Sequence, residues 1–196
     1  MAKDCIGDII CFENHNTANI IIQVLRFIII LLPLIIGMTI GALYGGKWSD
    51  PKYKNLKKSA YNPPNYVFGI VWPVLYILIG SIYSYALYDS MCIPDSISKC
   101  GTNVHFKELQ YWIIPTLALL FNFMYIPIFF GENGLFNGLI IIILSLVFAI
   151  LTLIQFALQS NYYSYTRIFA ILALVPYIIW LSFATYLSYD LYMLNK

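Results

Sequence analysis

The sequence predicts an all-α membrane protein, a bundle of five transmembrane helices, and three observations predict it. Five apolar stretches, Phe27–Tyr44, Tyr66–Tyr88, Leu109–Phe130, Leu135–Leu158 and Ile168–Leu187, occupy most of the 196 residues. Each is about as long as a helix needs to cross a hydrocarbon layer of roughly 30 Å at about 1.5 Å per residue. The chain is 61 % hydrophobic and only 10 % charged, which separates it from soluble domains. The stretches are continuously apolar rather than alternating. Lipid offers no hydrogen bonds to the backbone, so such segments must bond internally as helices, and a β-barrel is excluded.

Residues 1–19 form a polar N-terminal extension carrying Lys3, Asp4, Asp8 and Glu13. A cleaved signal peptide would place a short apolar core near the start and small residues at the cut. That layout is absent, so residues 20–196 read as one membrane domain with a retained first helix over about 20–44. Gln23 and Arg26 fall near its outer end, where Arg26 can snorkel to headgroups or face the bundle. Gly37, Gly41 and Gly45 recur every four residues, a spacing that lets helix backbones approach closely in lipid, within the bundle or in a homodimer. The second helix, over about 66–88, follows Tyr61-Asn62-Pro63-Pro64-Asn65-Tyr66. The two prolines stiffen this segment, and Asn65 is suited to cap the helix. The remaining helices are expected over about 109–130, 135–158 and 166–194.

The loop between the first two helices holds Lys47, Lys52, Lys54, Lys57 and Lys58 against Asp50 alone. The loop between the second and third balances Lys99 and Lys107 with Asp89, Asp95 and Glu108. Because Lys and Arg accumulate on the cytoplasmic side, the first loop and the C-terminus are expected there, and the N-terminus on the opposite side. Cys5, Cys11, Cys92 and Cys100 then all lie on the non-cytoplasmic side. Four cysteines allow three pairings. A Cys92–Cys100 disulfide is the simplest, with free thiols as the alternative. His15 and His105 lack the short cysteine spacing of a zinc site, so no metal is expected.

The apolar runs lack the acidic, lysine or histidine pairs on which proton-coupled transport usually relies. No nucleophile constellation or phosphate loop is present, and the one basic cluster is too short for a nucleic-acid face. What remains is aromatic surface with a few neutral polar groups, suited to a flat apolar ligand. Phe68, Trp72 and Tyr76 share one helix face, with Tyr83 near the same line. Asn122, Tyr125 and Phe129 share another, and Pro176, Trp180, Ala184, Leu187 and Leu191 a third. Turned inward, the three stripes enclose an aromatic cavity. The same rings would also serve to pack helices or to anchor the membrane interfaces. Asn122 suits either interhelical bonding, worth about 1 kcal/mol, or ligand orientation.

Three segments resemble the translocator protein family, also called the tryptophan-rich sensory protein or peripheral benzodiazepine receptor family. The first runs from Lys58 through Tyr61-Asn62-Pro63-Pro64-Asn65-Tyr66 to Trp72, with Leu75-Tyr76 and Gly80. The second is Asn122 with Pro127-Ile128-Phe129-Phe130-Gly131. The third runs from Pro176 through Trp180 and Ala184 to Tyr189, with Asn195 near the end. The resemblance covers about Leu34 to Lys196 and agrees with the count of five helices. It implies a binding protein for porphyrins, haem, cholesterol and benzodiazepine-site drugs, with no required cofactor and with lipids, sterols and tetrapyrroles as partners. By position it implies a pocket of Trp72, Asn122, Tyr125, Trp180 and Ala184, closed by a loop of Tyr61, Pro63, Pro64 and Tyr66.

The resemblance also implies a sterol site at the end of the last helix, which here involves Leu187, Tyr189, Tyr192 and Lys196. The pattern is loose in itself. Tyr61 and Tyr66 stand where many relatives have Trp, and Ser188 replaces an Asn beside Tyr189. Three functions follow as expectations. The leading one is binding and transport of tetrapyrroles and sterols; the others are porphyrin breakdown driven by light and oxygen, and a regulatory membrane hub. Members reside in the outer mitochondrial membrane of eukaryotes or in bacterial envelopes.

Overall fold

A computed structural model describes residues 4–6, 10–12, 15–87, 90–92, 100–102, 112–158 and 164–196, with side chains described within 20–86, 112–158 and 168–196. Two small antiparallel ribbons, β1 (Asp4–Ile6) with β2 (Ile10–Phe12) and β3 (Ser90–Cys92) with β4 (Cys100–Thr102), accompany the helices among the described residues. Their registers set Cys5 opposite Cys11 and Cys92 opposite Cys100. The second is the backbone placement that the expected disulfide needs, although the cysteine side chains lie outside the described residues.

The helices are α1 (His15–Tyr44), α2 (Pro51–Lys54), α3 (Asn65–Leu87), α4 (Ile113–Phe129), α5 (Gly134–Leu158) and α6 (Ser164–Asn195). Among the described residues four segments are long and apolar enough to cross a bilayer: Gln23–Ser49, Asn65–Ala86, Gly134–Leu158 and Ile168–Asn195. The expected third crossing is shorter than its apolar run. α4 has 17 residues and reaches roughly 25 Å, at the low end for a span. It begins at Ile113 rather than near 109, and residues 109–111 and His105 lie outside the described residues.

Around the bundle α1 packs on α3, α3 on α6, α6 on α5 and α5 on α4, and α4 touches α1 to close the ring. Glycine sets the α1–α3 approach. A methyl group at Gly80 would collide with the Ile30 carbonyl, and one at Gly37 with the Tyr76 ring. The four-residue glycine spacing therefore makes a close contact at Gly37, whereas Gly41 and Gly45 have nothing within 4 Å of an added methyl. α4 turns into α5 through residues 130–133. Asn133 adopts a positive φ of 50°, a conformation asparagine tolerates better than most residues. Gly134 follows because a side chain there would strike the Phe129 carbonyl.

The core occupies the end of the bundle remote from the 45–64 loop. Ile79, Ile82 and Ala86 of α3 meet Phe156 of α5 and Ala170, Leu174 and Tyr177 of α6, all nearly inaccessible. Buried hydroxyls bond across helices. Tyr83 donates to the Pro115 carbonyl at 2.9 Å, Ser145 to the Ala118 carbonyl at 3.1 Å, and Ser84 to the Arg26 carbonyl at 3.1 Å. Each satisfies a polar group that would otherwise be buried unpaired, typically worth about 0.6–2 kcal/mol in a membrane bundle.

Candidate ligand cavity

At the loop end the bundle is hollow. A cavity of about 490 Å³ lies among α1, α3, α4, α5, α6 and the 45–64 loop, within the range of small-molecule sites. The stripe predicted for α3 forms one wall: Phe68, Trp72 and Tyr76 all line it. Trp72 stacks on Tyr76 with ring centroids 5.6 Å apart. Pro73, also in the wall, has no N–H to offer the Gly69 carbonyl one turn earlier.

α4 supplies Asn122, Tyr125 and Phe129, again the predicted stripe. Asn122 is only 6 % exposed, and its Oδ1 accepts a hydrogen bond from the Tyr76 hydroxyl at 2.8 Å. The amide thus joins α3 to α4 and borders the cavity at once. Gly37 is what admits the Tyr76 ring to this position. From α6 come Ala184, Leu187, Ser188 and Leu191, with the Ser188 hydroxyl buried.

Trp180 does not line the cavity. Its ring lies behind the wall, edge-on to Trp72 at 6.5 Å and to Phe68 at 5.7 Å, and its Nε1 is buried without a partner. Pro176, one turn earlier, is exposed. Of the stiff loop, Asn62 and Asn65 line the cavity, but Pro63 and Pro64 do not, and Tyr61 and Tyr66 are 71 % and 68 % exposed. The Tyr61 ring leans on Tyr186 at the outer surface of α6, 6.3 Å away. The residues of the expected sterol site do not share one face. Leu187 points into the cavity, Tyr189 is exposed, Tyr192 packs on Phe136 at 5.6 Å, and Lys196 is exposed.

The cover is built from residues that the motif reading passed over. Gly45–Ser49 forms a 3₁₀ turn and Pro51–Lys54 a single helical turn. Asp50 caps the latter by accepting from the Lys52 N–H at 2.9 Å, with Pro51 at the first helical position. This turn directs Trp48 and Tyr53 into the cavity, where the Trp48 ring meets Phe130 at 4.7 Å and Phe129 at 5.9 Å. The Asp50-Pro51 capping signature, with rings on either side, was the available signal. Lys58 also borders the cavity and holds its Nζ 4.2 Å from the Tyr53 ring centre. Burial raises the Tyr53 phenol above its usual pKa, so the ring beneath the cation stays neutral.

The cover is fastened to the last helix. Asn195 accepts from the Lys57 N–H at 2.9 Å and donates to the Lys57 carbonyl at 2.8 Å, while also donating to the Leu191 carbonyl at 2.7 Å. The wall toward lipid is thinner. Met38, Ala42 and Gly69 line the cavity yet are exposed, and a methyl added at Gly41 or Gly69 meets nothing within 4 Å. α1 and α3 are close at Gly80 and Gly37, whereas nothing packs within 4 Å of the Cβ positions of Gly41 and Gly69 nearer the loop.

Comparison with known proteins places these features in context. The TspO/MBR family profile matches residues 29–194. The chain is 31 % identical over 173 residues to the tryptophan-rich protein TspO of Chlorobaculum tepidum, covering 85 % of this chain and 97 % of that protein. It is likewise 31 % identical over 166 residues to the protein of the same name from Archaeoglobus fulgidus, covering 85 % and 94 %. A translocator protein homolog of Schizosaccharomyces pombe is 26 % identical over 174 residues, covering 84 % and 88 %.

Proposed function

This chain belongs to the TspO/MBR family of multi-pass membrane proteins, and from that premise we propose that it binds tetrapyrroles such as protoporphyrin and haem, together with sterols such as cholesterol, and serves their passage through the membrane. The observation that carries this reading is the hollow itself: a 490 Å³ space at the loop end, walled by Phe68, Trp72, Tyr76 and Tyr125 and bordered by the amide of Asn122. Flat apolar ligands gain from such walls through burial and ring stacking, about 0.5–1.5 kcal/mol per ring pair beyond burial. The name of the fission-yeast relative, a translocator protein homolog, supports the transport part of the reading. The positive-inside rule puts the lysine-rich cover on the cytoplasmic face.

The test is a titration of the purified protein with protoporphyrin, haem and cholesterol in parallel. The porphyrin arms are followed by ligand absorbance. Trp72→Ala should weaken protoporphyrin roughly two- to tenfold with the thermal transition unchanged. Identical porphyrin affinity in Trp72→Ala, Trp180→Ala and wild type would overturn the aromatic site. A second reading, porphyrin breakdown in light and dioxygen, is favoured by one contact, the edge-on meeting of the Trp72 and Trp180 indoles. A product with an altered absorption spectrum, formed only under illumination in air and lost in both tryptophan variants, would establish it.

A further inference from the structure

Among the residues lining the cavity, Lys58 is the only charged one. It is half-buried, and among the described residues no carboxylate pairs with it; its Nζ rests on the neutral Tyr53 ring instead. A cation–aromatic contact compensates a partly buried ammonium incompletely and leaves it free to receive an anion. Its position is fixed from behind, because the adjacent Lys57 backbone is held on both its N–H and its carbonyl by Asn195. Beside it at this end lie the polar residues Ser59, Asn62 and Asn65 together with the Trp48 and Tyr53 rings of the cover, whereas the depth beyond is mainly aromatic. The cavity therefore has one end that carries a cation and one largely aromatic end without charge.

Resting on the tetrapyrrole reading above, we propose that Lys58 is the counter-ion for a carboxylate carried by the ligand. The cavity then selects an amphiphile with an acidic tail, such as a porphyrin bearing propionates, over a neutral molecule of the same shape. The ring system lies against Trp72 and Tyr76, and the carboxylate returns to the mouth. A neutral sterol offers Lys58 no charge to pair with.

The experiment compares protoporphyrin with its dimethyl ester, which keeps the macrocycle and removes both charges. Both are titrated by absorbance into full-length wild type, Lys58→Met and Lys58→Arg. Wild type should prefer the diacid by roughly tenfold. Lys58→Met should lose that preference while binding the diester as wild type does, which also shows that the fold is intact. Lys58→Arg should retain it. Equal affinity of wild type for diacid and diester, or an equal loss of both in Lys58→Met, overturns the role of the lysine and leaves the tetrapyrrole site standing. Failure of both porphyrins to bind wild type overturns the tetrapyrrole reading and this proposal together.

Discussion

The two ends of this bundle are both rich in tyrosine and other rings, yet one is solid and the other hollow. At the solid end, Tyr83 and Tyr177 sit among Ile79, Ile82, Leu174 and Phe156, and the Tyr83 hydroxyl is satisfied by the backbone of α4. Small residues, Ala86, Ala149, Ala170 and Ala173, let the helices close around the rings. At the hollow end, the rings of Trp72, Tyr76, Tyr125 and Phe129 face a common space, and the cover is a loop rather than a helix. Aromatic content therefore does not distinguish a site from a core. The distinction lies in whether neighbouring helices converge on the rings or diverge from them.

The largest test of this contrast is Phe156→Ala. Phe156 is 1 % exposed in the solid end, and its truncation should cost about 3–5 kcal/mol through lost packing and the void left behind. A pronounced fall in the thermal transition with unchanged porphyrin affinity at low temperature is expected. An equal loss of affinity would break the separation between the two ends. Gly37→Ala probes the boundary. The added methyl meets the Tyr76 ring, so the ring must shift and its bond to Asn122 weakens, an overpacking effect of about 1–3 kcal/mol. Both stability and porphyrin binding should fall, which distinguishes it from Phe156→Ala. Asn195→Ala is the mildest. It removes the side-chain bonds to Lys57, worth about 1 kcal/mol each at most in this exposed setting. The thermal transition should barely move, while limited proteolysis within residues 47–58 should accelerate.

Much of the solid end was legible in the sequence, because length and apolarity alone decide that a segment must be helical in lipid. Helix ends follow within a few residues for α3, α5 and α6. α1 extends further back than the apolar run, to His15, and α4 is shorter than its run. The faces were also legible. The i, i+4 stripe of Phe68, Trp72 and Tyr76 and the stripe through Asn122 both turn inward as the periodicity requires. What periodicity could not give is the cover. The loop motif suggested Tyr61 and Tyr66 as lids, but Asn62 and Asn65 are the residues of that segment that line the cavity, and both tyrosine rings are exposed. Trp48 and Tyr53 take that place because a capped single turn at Asp50-Pro51 folds them back. Trp180 stands one layer behind the wall because Phe68 and Trp72 come between it and the cavity.

Should the thin wall beside Gly41 and Gly69 admit a ligand, its entry path faces lipid or detergent rather than bulk water. A guest that comes through it has already dissolved in the surrounding lipid or detergent, so site occupancy follows the mole fraction in that phase. Two preparations given the same micromolar dose but different amounts of lipid present different chemical potentials to the protein. Binding curves from separate preparations become comparable only when expressed per lipid molecule.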